Sequence, residues 1–320
     1  MSFTPAGVIP ATLLAFHDDR SIDEAGTRRH LRDVAATPGI SAITVNGHAS
    51  EVHACTEAEQ SRILALSLAE IGDRLPIIAG VWADGSANAA RIARAAAAEG
   101  ASALLVFPSQ VFSMGGQLRP EMALAHFSEI AAATDLPLIV FAYPERSTLS
   151  YPLDTLVRLA ETIPSIRAIK DWCNDPVLHE RHIRVLQSLA RPVNVLSTHS
   201  AWLMASLALG CNGLLSGSGS VIPDLHVALF QAIAAGDLPR ARAINDRIHP
   251  LAEAFYAAPA LDMHNRMKEC LVMLGRMDRA VVRPPLVRIT EAERARLRAA
   301  LIAAGLLPAG LLPAGLSRAA

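Results

Sequence analysis

Ser165-Ile166-Arg167-Ala168-Ile169-Lys170-Asp171-Trp172 reads as a short buried strand that ends on a lysine. Lysine occurs only twice, at Lys170 and Lys268, among the 29 lysines and arginines. A guanidinium stays protonated and cannot do amine chemistry, whereas a buried lysine can lose its proton. A deprotonated lysine attacks carbonyl carbon and forms a Schiff base. The competing reading is a solvated lysine at a strand end. Side chains alternate along a strand. If Lys170 points inward, so do Ala168 and Ile166, while Arg167 and Ile169 face outward. Apolar neighbours disfavour the charged amine and lower its pKa toward neutrality.

Outward from this stretch the same unit repeats. Short apolar runs at 8–14, 42–45, 76–81, 103–107, 137–143, 166–170, 194–197 and 213–216 read as eight strands. Helical patterns lie between them at 23–36, 57–70, 87–99, 121–133, 153–162, 176–189 and 201–209, with an eighth near 225–235. Thr56 before Glu57 and Glu59, and Pro120-Glu121, are helix-start signals. Gly100 and Gly210 stand where helices should stop. Strand and helix in strict alternation mean parallel strands with crossover helices. Eight such units predict an α/β fold, a (β/α)8 TIM barrel. An open doubly wound sheet would normally carry a glycine-rich turn after the first strand. The chain has Ala15-Phe16-His17-Asp18-Asp19 there, so the barrel is preferred. Three further helices, at 238–258, 262–274 and 291–304, predict a C-terminal helical extension. The expected division is barrel 1–236, helical region 237–305 and a frayed Leu-Pro-Ala-Gly tail 306–320.

The chain has 320 residues, more than half of them hydrophobic, and a net charge of -1. That balance, without a basic run, argues against nucleic acid as a partner. The four cysteines (Cys55, Cys173, Cys211, Cys270) have no CxxC or metal-ligand spacing, so free thiols in a reducing compartment are expected. No apolar stretch suits a membrane span, and no signal peptide is apparent. A cytoplasmic location is expected.

Functional residues of a barrel lie at the C-terminal ends of its strands and in the loops beyond. Strand two delivers Gly47, His48, Ala49, Ser50 and Glu51; strand four delivers Ser109 and Gln110. Strand five delivers Phe141 and Tyr143, strand six Lys170, strand seven Ser197, Thr198 and His199, and strand eight Ser216, Gly217 and Ser218. Phe141 and Tyr143 share one face, so an inward Tyr143 places a hydroxyl near Lys170. Core packing is the alternative for Tyr143, and loop capping the alternative for His48. Glu51 is read mainly as a loop anchor. Trp172 is read as pocket wall. His179-Glu180-Arg181-His182 lacks the spacing of a zinc helix and reads as a solvated helix face.

Over roughly residues 5–305 the chain resembles the dihydrodipicolinate synthase / N-acetylneuraminate lyase family of class I aldolases. The matching pieces are Gly7-Val8-Ile9-Pro10-Ala11-Thr12, Gly47-His48-Ala49-Ser50-Glu51, Thr56-Glu57-Ala58-Glu59, Ile169-Lys170-Asp171 and Gly213-Leu214-Leu215-Ser216, with Pro223 beyond. The resemblance implies an imine on Lys170 with a small 2-oxo acid such as pyruvate or a deoxy-sugar acid. It places the substrate carboxylate on backbone N–H groups of Gly47–Ala49 and makes the Gly217-Ser218 loop the floor of the site. It implies no metal or organic cofactor and a homo-oligomer, tetramer or dimer. The chain also departs from the pattern. Phe141 stands where the family has its general-acid tyrosine, His48 and Ala49 replace two threonines, and Ser109 and Gln110 replace a further tyrosine.

The expected function is a Schiff-base lyase, aldolase or dehydratase, with Lys170 as nucleophile and Tyr143 or His48 handling protons. Gln110 is a candidate specificity residue. Two rivals share the scaffold: a 2-oxo-acid-binding or regulatory protein without turnover, and a true dihydrodipicolinate synthase.

Overall fold

The computed structural model describes residues 3–308. Eight parallel strands form one sheet in the order β1-β8-β7-β6-β5-β4-β3-β2. They are β1 (Gly7–Pro10), β2 (Ile43–Val45), β3 (Ile77–Val81), β4 (Ala103–Val106), β5 (Leu138–Ala142), β6 (Ile166–Asp171), β7 (Asn194–Ser197) and β8 (Gly213–Ser216). Between β1 and β2 the ring closes through two hydrogen bonds. Ser41 N–H donates to the Val8 carbonyl, and Thr12 N–H to the Thr44 carbonyl, both at 3.0 Å. The sheet is therefore a (β/α)8 TIM barrel.

The strands sit close to their expected places; β3, β4 and β5 are continuous apolar runs, buried on both faces. β1 is shorter than 8–14: the sheet pairing ends at Pro10, and Ala11 and Thr12 turn across the barrel end to bond Ser216 and Thr44.

The outer layer is α1 (Glu24–Ala35), α2 (Glu57–Ile71), α3 (Ser86–Glu99), α4 (Pro120–Ala131), α5 (Leu153–Thr162), α6 (Pro176–Leu186), α7 (Leu203–Ala208) and α8 (Pro223–Ala234). Local chemistry starts several of these helices. Thr56 and Glu59 form a reciprocal capping box on α2. Asp175 caps the second and third N–H groups of α6, with Pro176 in the first turn.

Beyond the barrel follow α9 (Leu238–Phe255), α10 (Met263–Met273) and α11 (Glu291–Ala303). Arg266 on α10 ties them together. Its buried guanidinium donates to the carbonyls of Phe255, Ala257 and Pro259 and pairs with Glu293 at 3.0 Å. This region reaches across the barrel mouth instead of packing only on its outside, and that placement shapes the site. Leu306 and Leu307 pack on the core. The rest of the expected Leu-Pro-Ala-Gly tail, 309–320, lies outside the described residues. No helix among the described residues is long and apolar enough to cross a membrane.

Candidate active site

Lys170 is the last residue but one of β6 and lies inside the barrel, opposite Phe141 of β5. The β5–β6 register slips by one residue at Arg167, and the pairing that follows sets this opposition. The amine is buried, and its Nζ lies 4.1 Å above the centre of the Phe141 ring. Among the described residues no carboxylate pairs with it. Burial alone pulls its pKa down to about 7. The ring face can offset only part of the desolvation of the charged form.

Tyr143 lies just past the end of β5 and stacks on Phe141, with ring centres 4.7 Å apart and planes 18° apart. Its hydroxyl is hydrogen-bonded to His48 Nε2. Burial pushes the Tyr143 phenol well above its ordinary pKa. His48 is held well below the usual histidine value by burial first and by the Lys170 charge second. The pair is therefore a protonated phenol against a neutral imidazole, both uncharged at neutral pH. His48 is wedged edge-on against Phe107 and Trp82, at 4.8 and 5.3 Å between ring centres.

Two connected chambers occupy the mouth. The inner one, of about 40 Å³, touches Lys170, Ala49, Phe141, Thr198, Gly217 and Tyr256. It has room for on the order of three or four heavy atoms. The outer one, of about 370 Å³, lies beyond Tyr143, Gln110 and Trp82. His48, Trp172, Met263 and His264 border both.

The sequence-derived candidates fall into two sets. Lys170, His48, Ala49, Phe141 and Gly217 meet at the inner chamber, while Tyr143 and Gln110 meet His48 at the outer one. Ser50, Ser216, Ser218 and Gly47 border neither. The Ser50 hydroxyl donates to the Thr12 carbonyl at 2.8 Å. Gly47 accepts through its carbonyl from Ser50 and Val52 N–H, which shapes the turn that carries Ala49. Ser216 and Ser218 join Ser200 in a buried hydroxyl cluster, with Oγ separations of 3.0 to 3.4 Å. Ser200 in turn donates to the Tyr256 hydroxyl at 2.6 Å. Tyr256 also lines the inner chamber.

Tyr256, Met263 and His264 were not among the sequence candidates. They lie in the C-terminal region, and nothing local in their sequence marks them as site residues. A signal does exist at Gly217: a Cβ there would come within 2.9 Å of His264 Nε2. The missing side chain lets α10 enter the mouth. Burial first, and Lys170 second, lower His264 to about 3.

Glu51 anchors the loop. Its two oxygens accept from Lys268 Nζ and from Arg283 N–H. Lys268 is fully buried on α10, also donates to the Val281 carbonyl, and lies 4.4 Å above the Phe16 ring. The turn that carries Ala49 is thus tied to the C-terminal helices by a buried ion pair.

The 179–182 segment differs from its expectation. His179 and His182 are buried, and both Nδ1 atoms donate to Asp171 Oδ2, at 2.7 and 2.8 Å. Their i, i+3 spacing puts both on the barrel-facing side of α6. Strand alternation turns Asp171 outward to meet them, directly behind Lys170. Burial alone would raise Asp171; the two histidine hydrogen bonds outweigh it and hold the carboxyl well below its ordinary range. Asp171, Cys173, His179 and His199 lie close enough to share a cation. They are committed elsewhere: Asp171 Oδ1 accepts from Cys173 N–H, and His199 Nε2 from Asn174 N–H.

Comparison with known proteins agrees with this architecture. A sequence profile described as the dihydrodipicolinate synthetase family matches residues 4–304. An uncharacterised DapA-like lyase of Halobacterium salinarum is 30% identical over 297 residues, 92% of each chain. A 4-hydroxy-tetrahydrodipicolinate synthase of Erythrobacter litoralis is 32% identical over 302 residues, covering 92% of this chain and 97% of that one. The structure of YagE, a prophage protein of the dihydrodipicolinic acid synthase family from E. coli K12 in complex with pyruvate, superposes with a TM-score of 0.86. That likeness is at 21% identity and spans 94% of this chain and 99% of the other. With the profile spanning nearly the whole chain and a strand-end lysine in its barrel, this protein belongs to the dihydrodipicolinate synthetase family, as a lyase of the class I aldolase type.

Proposed function

We propose that Lys170 forms an imine with the carbonyl of a small 2-oxo acid, pyruvate first among them, and that the enzyme makes or breaks a bond to the adjacent carbon. The observation that carries this is the amine itself. Lys170 is buried without a counter-ion, lowered to about 7, and open to a chamber of carboxylate size. A charged lysine has only the Phe141 ring face to offset its desolvation there; a nucleophilic one needs such a place. That YagE takes pyruvate on the same fold supports the choice of oxo acid.

Within this reading the turn at Gly47–Ala49 offers backbone N–H groups to the carboxylate, and the Tyr256 hydroxyl stands beside the same chamber. Gln110 borders the outer chamber as a specificity residue. Phe141 cannot transfer protons and serves as a ring platform under the amine. Tyr143 donates the proton instead, with His48 taking and returning it. Ser50, Ser216 and Ser218 support the wall from behind.

The test is borohydride trapping with pyruvate, read by intact mass and peptide mapping. A stable adduct on Lys170, absent in Lys170→Ala, is expected. Tyr143→Phe and His48→Ala should keep the adduct and lose turnover; unchanged turnover in both would remove the dyad from the mechanism. An adduct without turnover of any acceptor would favour an oxo-acid-binding protein. The exposed apolar side chains Val111, Met114 and Leu118, after β4, suit burial in a homo-oligomer, tetramer or dimer, which light scattering would reveal.

A further inference from the structure

We infer that the second substrate is an uncharged aldehyde with a flat apolar body, of about the size of benzaldehyde. This rests on the imine reading above and adds the partner that reading leaves open. The outer chamber is where a second substrate must sit. It borders the inner one through four shared residues and is lined by Tyr143. Its walls are mainly apolar and aromatic: Trp82, Leu149, Trp172, Leu261, Met263 and Leu286. Among the described residues no carboxylate, guanidinium or ammonium group lines it.

The three imidazoles in its wall, His48, His53 and His264, are all shifted toward the neutral form by burial. They supply no fixed positive charge. A second substrate carrying a carboxylate would leave water for a wall with no counter-charge, which is costly. The polar groups of the wall are Gln110, Tyr143 and the three imidazoles, and a polyhydroxylated aldehyde would still set part of its hydroxyls against Leu149, Leu261, Met263 and Leu286. A planar apolar ring loses nothing on entry and packs against Trp82 and Trp172. The chamber volume of about 370 Å³ exceeds the roughly 150 Å³ that suffices for benzene in an apolar cavity.

The reaction balances without a co-reactant. Lys170 Nζ adds to C2 of pyruvate, and the carbonyl oxygen leaves as water. C3 gives up a proton to the His48 imidazole to form the enamine. The enamine electron pair makes a bond from C3 to the aldehyde carbon, the aldehyde oxygen takes a proton from Tyr143, and His48 passes its proton back to Tyr143. Water then hydrolyses the imine and releases a 4-hydroxy-2-oxo acid that contains every atom of both substrates. The same steps reversed are a cleavage.

The experiment uses the full chain with pyruvate and three aldehydes: benzaldehyde, 4-carboxybenzaldehyde and glyceraldehyde. Borohydride trapping with pyruvate alone runs in parallel. The expected result is a Lys170 adduct and a kcat/KM for benzaldehyde at least about tenfold above either other aldehyde. Leu261 is 67% exposed, so Leu261→Arg should fold. It should shift the benzaldehyde to 4-carboxybenzaldehyde ratio about tenfold toward the carboxylate. An adduct with no preference for benzaldehyde overturns this inference and leaves the imine standing. An unshifted ratio in Leu261→Arg also overturns it. No adduct overturns the imine reading, and this inference falls with it.

Discussion

The two lysines of this chain are both buried, and they are buried in opposite ways. Lys268 meets Glu51, the Val281 carbonyl and the Phe16 ring. Lys170 meets the face of Phe141 and a cavity. Burial lowers the pKa of both, but only Lys268 has a carboxylate that raises it again. One lysine is therefore a structural ion that ties the Gly47–Glu51 turn to α10. The other is an amine kept near neutrality. A buried lysine is chemically informative when its partner is missing, and structurally informative when the partner is present.

The sharpest way to break the comparison is to remove each amine. Lys170→Ala should cost roughly three orders of magnitude or more in turnover, because the covalent route is gone. Steady-state kinetics with a coupled pyruvate assay would show it. Lys268→Met should act on the fold instead. It leaves Glu51 buried without its counter-ion, at a cost of about 3–5 kcal/mol in denaturant unfolding. Lys268→Met combined with Glu51→Leu should recover much of that loss. A silent single variant would mean that the pair does not anchor the turn.

The pH dependence sharpens the same contrast. Only the free amine attacks, so kcat/KM should fall as pH drops through about 7. Its free fraction falls tenfold per pH unit, so pH 5 should lie roughly 100-fold below pH 8. Stability should respond in a related way. In the unfolded chain Lys170 holds its proton up to about 10.5, and in the fold only up to about 7. Between those values the unfolded state binds more protons, so stability rises with pH across the window and is lowest below it. Lys170→Met removes this penalty. At pH 6 it should be more stable in denaturant unfolding, by on the order of 4–5 kcal/mol, and most of the gain should be gone by about pH 10. The smallest effect is expected at the mouth. Gly217→Ala should press His264 and Met267 outward, costing about 1 kcal/mol of stability and weakening pyruvate binding several-fold.

Much of the barrel was legible in advance because its signals are local. A strand buried on both faces must be a continuous apolar run, and a crossover helix must show helical periodicity with a cap. Asn194–Ser197 and Leu153–Thr162 stand at the bounds their sequence suggests for those reasons. Lys170, His48, Ala49, Phe141, Gly217, Tyr143 and Gln110 were reachable as site candidates once the strand ends were placed. The directions of the serine hydroxyls were not: Ser50, Ser216 and Ser218 sit on the correct loops but bond to the barrel behind the chamber. The histidines at 179 and 182 look solvated in sequence because the buried acceptor they need, Asp171, belongs to the preceding strand.

By itself, then, the sequence determined the layering, the strand order and a lysine among apolar neighbours, since these follow from periodicities of two and 3.6 residues. The tertiary structure alone decided which group neutralises which. Glu51 and Lys268 are 217 residues apart, and His264 on α10 closes on Gly217 beyond β8. Such pairings have no local signature. They depend on how a buried charge or a missing side chain in one element is met by another, and only packing settles that.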